Sequence, residues 1–166
     1  MITPENLKIF NLFVGLDNSE LEKITGLCTR NTYDKEAVIL SPHSSSSEIF
    51  LVENGHDSVQ IEILIDEHES KLVIHTLKKG ETFGWASLGP SHPRTAIARC
   101  LEKVDIIKIN SQELIRLLDQ NNHMGYLVMR NLSSIISERL NYTTTVLRRF
   151  THEWIQRKET VAPEEQ

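Results

Sequence analysis

Apolar positions change period twice along this chain. From Pro4 to Phe13, the residues Leu7, Ile9, Phe10, Leu12 and Phe13 fit a short amphipathic helix that Val14-Gly15-Leu16 breaks. Asp17 followed by Glu20 reads as a capping box opening a second helix through Leu21, Ile24, Leu27 and Cys28. From Thr29 the period moves toward two. Asn31–Tyr33 and Ala37–Leu40 are strand candidates split by the turn Asp34-Lys35-Glu36, and Ser41 to Ser47 form a loop. Ile49–Val52 reads as a buried strand, Asn54-Gly55 predicts a hairpin turn, and Ser58 to Ile65 puts Val59, Ile61, Ile63 and Ile65 on one face. The acidic turn Asp66–Glu69 leads to a strand over Leu72–Leu77, and Val104–Ile109 closes the sheet.

The helical period then returns. Asn110 with Glu113 caps a helix carrying Leu114, Ile115, Leu117 and Leu118. A long helix follows from His123 to about Arg157, with Met124, Leu127, Val128, Leu132, Ile135, Ile136, Leu140, Val146, Leu147 and Phe150 on one stripe. Unbroken, it spans ~50 Å at ~1.5 Å per residue, more than a small roll can cover. Its far half therefore calls for a partner, and a homodimer through this helix is expected; the alternative is a helix folded back along its own barrel. Short strands, tight turns, helices at both ends and no βαβ alternation predict a mainly β fold with flanking helices. The expected architecture is an antiparallel double-sheet β-roll (jelly roll) with N-terminal helices and a long C-terminal helix. The organisation read from the sequence is a roll over residues 1–122, a dimerisation helix over 123–158 and a disordered tail over 159–166.

Composition narrows the classes. In 166 residues, 39% hydrophobic and 25% charged describe an ordinary globular domain. No apolar run reaches the ~20 residues of a membrane span, and the start M-I-T-P-E-N lacks a signal peptide's basic and apolar regions, so a cytoplasmic protein is expected. A net charge of −5 argues against a broad nucleic-acid surface. Only sixteen residues follow Phe150, too few for a helix-turn-helix, so no direct DNA binding is expected. The basic residues Arg130, Arg139, Arg148, Arg149, Arg157 and Lys158 read as a solvated helix face, or as a stripe touching a partner protein or a membrane surface. Cys28 and Cys100 read as a buried, reduced pair. The seven histidines form no H-x-H, and no Ser-His-Asp or paired-carboxylate arrangement stands out. Neither a metal nor a catalytic activity is expected.

One stretch carries candidate chemistry: Gly80 to Arg99, G-E-T-F-G-W-A-S-L-G-P-S-H-P-R-T-A-I-A-R. Gly84 allows a sharp turn, and Trp85–Leu88 would form one helical turn whose free N–H groups face an anion. Pro90 and Pro93 exclude a helix in the following loop. Arg94 and Thr95 then arrive ahead of a strand of small residues, Ala96, Ala98 and Cys100. A guanidinium opposite a cluster of amides would grip a phosphodiester.

The segments F-G-W-A-S-L and P-R-T-A resemble the phosphate-binding cassette of cyclic nucleotide-binding domains, as found in bacterial catabolite activators, kinase regulatory subunits and gated channels. The similarity runs from about Leu7 to about Phe150 and includes L-F-V-G-L-D-N-S-E-L-E-K-I and L-V-E-N-G-x-x-x-V-x-I. It implies a regulatory sensor that binds cyclic AMP, cyclic GMP or a related anion, with no cofactor. The implied ligand contacts are Phe83, Gly84, Trp85, Ala86, Ser87, Arg94, Thr95 and Ala96. R-L-N-Y-T-T resembles the helix phrase whose hydroxyls contact the purine, which adds Thr143 and Thr144. Thr95 hints at a guanine edge. The chain departs from the pattern at Trp85, where the family has a glutamate that holds the ribose 2′-hydroxyl. A tryptophan cannot accept that hydrogen bond. It would stack on the ligand or fill the pocket, and in the second case the domain is a degenerate module for dimerisation or protein interaction.

Overall fold

The computed structural model describes residues 1–42, 44, 47–64, 70–89 and 96–161, with side chains through 156. Eight described strands make two four-stranded antiparallel sheets. One sheet contains β1 (Cys28–Tyr33), β8 (Val104–Asn110), β3 (Glu48–Val52) and β6 (Thr82–Phe83), in that order. The other contains β2 (Val38–Leu40), β7 (Ala96–Cys100), β4 (Val59–Leu64) and β5 (Lys71–Leu77). The helices are α1 (Pro4–Leu7), α2 (Asn18–Thr25), α3 (Ser111–Asp119) and α4 (Asn122–Val161). This is the jelly roll with flanking helices that the patterning implies.

The unbroken apolar run I-F-L-V of β3 has a direct physical cause. Alternate residues of a strand face opposite sides, and here both sides are buried. Phe50 and Val52 enter a core between the sheets with Val59, Ile61, Leu77, Ala98 and Cys100. Ile49 and Leu51 enter a second core beneath the helices, with Phe10, Phe13, Leu21, Leu114 and Val128. β8 divides the same way, with Val104 and Ile106 inside the roll and Ile107 and Ile109 under the helices.

Three local expectations are corrected. Asn54-Gly55 does not close a hairpin. β3 pairs with β6 and β8, whereas β4 pairs with β5 and β7, so the turn carries the chain from one sheet to the other. Gly55 supplies the positive φ that the reversal needs. The Asn54 amide, however, donates to the Asp105 carboxylate at 2.7 Å and accepts the Asp105 N–H at 2.8 Å, tying the turn to β8. The first helix is not continuous to Phe13. It stops at Leu7, and a separate 3-10 turn covers Asn11–Phe13 because Asn11 is held by the Gly80 carbonyl and the Thr82 hydroxyl. The second helix ends at Thr25, and Cys28 instead starts β1 opposite Ile109. The expected strand residue Ile65 and the turn Asp66–Glu69 lie outside the described residues.

α4 spans ~60 Å over its 40 residues. Its first half is packed: Met124, Leu127, Val128, Leu132 and Ile135 are buried, and Asn131 donates to the carbonyls of Leu12 (3.1 Å) and Val14 (2.8 Å). Its second half leaves Leu140, Leu147, Phe150 and Trp154 exposed. The helix runs on through Val161, and residues 162–166 of the expected tail lie outside the described residues. Among the described residues, no helix is long and apolar enough to cross a membrane.

The α3 start tests the capping argument. The Asn110 side chain accepts the N–H groups of Gln112 (3.0 Å) and Glu113 (3.1 Å). Asn110→Ala is expected to cost ~1 kcal/mol, read as a lower urea midpoint at an unchanged m-value.

Candidate functional site

The cassette turn is built on a stacked pair of rings. Phe83 of β6 lies opposite Phe50 of β3, and their ring centroids are 5.0 Å apart with planes 19° from parallel. Such a pair contributes about 0.5–1.5 kcal/mol beyond its buried area. The next residue must be glycine for two reasons. Gly84 has φ +75°, and a Cβ there would stand 2.7 Å from Phe50 Cδ2 and 3.1 Å from the Glu48 carbonyl oxygen. The chain thereby leaves the strand and enters a 3-10 turn over Trp85–Leu88. Ser87 anchors that turn: its hydroxyl donates to the carbonyls of Gly84 (3.0 Å) and Glu48 (3.3 Å), and its N–H bonds Gly84 at 3.2 Å. Among the described residues, the N–H groups of Trp85 and Ala86 have no acceptor.

The other sequence-derived site residues fall in three places. Ala96 opens β7, half-buried against the core of the roll. Arg94 and Thr95 lie outside the described residues. Thr143 and Thr144 sit on the second half of α4, where Thr143 is half-buried and the Thr144 hydroxyl donates to its own helix at the Leu140 carbonyl, 2.8 Å away. The hydroxyl hydrogen of Thr144 is thus spent locally, while its oxygen can still accept. Trp85 packs with Leu88 against the core under the helices and is not part of the cluster that fills the roll.

The structure also assembles a cleft that residue patterns did not announce. Between the β5–β6 corner and the middle of α4 lies a cavity of about 160 Å³, lined by Asn11, His75, Glu81, Glu138, Arg139 and Tyr142, among others. His75 meets Tyr142 edge-on at 4.9 Å. The Glu81 carboxylate lies 3.4 Å from His75 Nε2 and accepts the Lys78 N–H at 2.9 Å. Arg139 is half-buried, a correction to the solvated face expected for the basic stripe. The signal that would have found it is its place one helical turn before Thr143, on the face turned to the roll.

Burial leaves marks on the titrating groups. Desolvation alone would raise the Glu81 pKa, but the hydrogen bonds from His75 and the Lys78 N–H, with the charges of His75 and Arg139, outweigh it and leave the group below its ordinary 4.5. Desolvation lowers the pKa of Arg139. It pushes the Cys28 thiol up to about 12 and the Cys100 thiol to about 11, so both are protonated, poor nucleophiles at neutral pH.

The family model of the cyclic nucleotide-binding domain matches residues 30–121, more than half of the chain. The chain belongs to that family. Solved members share its fold. The catabolite activator protein of Thermus thermophilus is 22% identical with a TM-score of 0.68, over 85% of this chain and 63% of that one. The c-di-GMP-responsive global regulator CLP of Xanthomonas campestris is 21% identical with a TM-score of 0.72, over 81% and 65%. The regulatory domain of Toxoplasma gondii PKA, solved with cAMP, is 17% identical with a TM-score of 0.59, over 70% and 42%. This chain spans under two thirds of the length of each of these three. Comparison with curated proteins gives no match. In this chain the turn over Trp85–Leu88 is seated on α3 and β3.

A lowered folded-state pKa makes Glu81 a source of stability that is present above its unfolded value, near 4.5, and lost as pH falls through the lower folded value. Glu81→Gln should therefore lower stability near neutrality, where the contribution is fully present, and flatten the acid limb below about pH 4.5 so that the difference from the parent shrinks as pH falls, as measured by urea unfolding at stepped pH.

Proposed function

We propose that this chain is a non-catalytic sensor that binds a cyclic nucleotide at the turn after Gly84 and passes the signal through α4. The observation that carries the reading is that turn: a left-handed glycine packed on Phe50, followed by the Trp85 and Ala86 amides, which have no acceptor among the described residues, and a third residue tied down by its hydroxyl. Arg94 supplies the counter-charge in this reading, and Thr95 and Ala96 complete the phosphate grip. Phe83 sets the angle of the turn. Thr143 and Thr144 present acceptor oxygens to the base. Ligand entry draws the cassette toward the phosphodiester and shifts the population of α4 poses. Residues 1–122 form the sensing unit, and the helix from residue 123 transmits.

Cyclic AMP and cyclic GMP are the first ligands to consider. A cyclic dinucleotide belongs in the same screen, because a relative of this fold responds to one. The second reading, a module that keeps the roll and the helix but binds no nucleotide, is favoured by one observation: Trp85 replaces an acceptor and packs toward the helices. Losing a charge-assisted hydrogen bond of ~1.5–3 kcal/mol weakens binding about tenfold to a hundredfold, which leaves room for a working site.

Titration calorimetry of the full chain with the three ligand types separates the readings. The expected result is saturable binding of at least one ligand, lost in Arg94→Ala. Equal affinity in parent and mutant would remove Arg94 from the site, and heat from none of the ligands would leave the interaction module.

The exposed stripe of Leu140, Leu147, Phe150 and Trp154 has spacings of seven, three and four, which suits a second copy of the same helix. Sedimentation should find a homodimer that Leu147→Arg converts to monomer. A monomeric parent at tens of micromolar would end the dimer proposal.

A further inference from the structure

The 3-10 turn over Asn11–Phe13 is three residues long. A helical segment that short does not hold itself, because nucleation is unfavourable and there is no length over which to recover it. Its terminal groups must be satisfied from outside. Two different elements do so. At the start, the Asn11 N–H donates to the Gly80 carbonyl at 3.0 Å, and the Asn11 side-chain oxygen accepts the Thr82 hydroxyl at 2.9 Å. Thr82 is fully buried on β6, and Asn11 is the partner of its hydroxyl. At the end, the Asn131 side chain of α4 directs both amide hydrogens to the turn, one to the Leu12 carbonyl (3.1 Å) and one to the Val14 carbonyl (2.8 Å). Between the two ends, Leu12 and Phe13 are buried in the core under the helices with Val128 and Leu132. The fit on the roll side is close: Gly80 has φ +89°, and a Cβ there would stand 2.8 Å from the Ile9 carbonyl oxygen.

We infer that this turn is a bolt that locks β6, the strand leading into Gly84, to the first half of α4, with Asn11 and Asn131 as the positioning residues at its two ends. The two asparagines share no hydrogen-bond partner. The turn keeps its helical form only while both ends are held, so loss of one end weakens the grip at the other. α4 packs on this turn, on β5 and on α3. A shift of β6 therefore carries the first half of α4 with it. Relative movement between helix and roll is left to the half beyond Ile135, whose apolar residues Leu140, Leu147 and Phe150 are exposed. The lock is a property of the fold and holds whether or not a nucleotide binds, so it goes beyond the sensor reading.

A double-mutant cycle on the full chain, read by urea unfolding, tests the lock. Asn11→Ala and Asn131→Ala should each raise the unfolding constant roughly fivefold to a hundredfold, because each strips a partner from a hydroxyl or from carbonyls of the turn. Together they should fall short of the product of the single effects by at least about twofold, since the second end has less to hold once the first is released. Asn110→Ala with Asn131→Ala is the control pair, and its effects should multiply. Two asparagines with separate local roles would give multiplication in both pairs. That result would overturn the lock, as would single variants as stable as the parent. If a variant fails to fold, hydrogen exchange of the parent in rising urea decides. The amides of Asn11, Gly80 and Val128 should merge on one exchange curve, as members of one cooperative unit. An Asn11 amide that opens at lower urea than both of the others would show a turn that frays alone, and no lock.

Discussion

β3 and β8 are buried on both faces, and the rest of the molecule follows from that constraint. A strand with one wet face could alternate polar and apolar residues. β3 cannot, because its odd and even positions belong to different cores, and β8 sends its apolar residues into both while Asp105 and Lys108 stay partly exposed. Phe50 holds Phe83 inside the roll, while its neighbours Ile49 and Leu51 hold the helices outside. The same strand therefore touches the platform of the cassette turn and the base of α4. A displacement at one core is felt at the other, since close-packed interiors pass on strain and do not absorb it.

The cassette turn sits on this shared element. Gly84 lies against Phe50 and Glu48, and the Ser87 hydroxyl returns to the Glu48 carbonyl. Trp85 and Leu88 join the core beneath the helices. The turn is thus anchored on its strand side and its helix side, and among the described residues its first amides have no acceptor. In that position a tryptophan has a packing role that a glutamate could not fill, because an apolar core will not take an unpaired carboxylate. Trp85 links the turn to the helical layer.

α4 has two characters along its length. Its first half belongs to the domain, fixed by Asn131 to the carbonyls that end the N-terminal 3-10 turn. Its second half presents apolar residues outward and, at the junction, holds Arg139 and Tyr142 over the β5–β6 corner. At this junction Arg139 and Tyr142 of α4 and His75 and Glu81 of the roll line one cavity.

The linear order of residues was enough for most elements, their types and the family, but not for the 3-10 turn over Asn11–Phe13 or the end of the second helix. Periods of two and 3.6, the capping pairs Asp17/Glu20 and Asn110/Glu113, and the glycine of F-G-W-A-S-L are local signals, and local backbone chemistry obeys them. It did not reveal pairing partners. Asn54-Gly55 has the chemistry of a hairpin, yet burial of both faces of β3 sends the next strand to the other sheet. Nor did it reveal the cleft of His75, Glu81, Arg139 and Tyr142, whose members are separated by up to 67 positions and carry no common motif. Arg139 looks like any surface arginine until the corner of the roll covers it. Desolvation and the facing of unlike groups are properties of neighbours in space, and only the packed chain decides who those neighbours are.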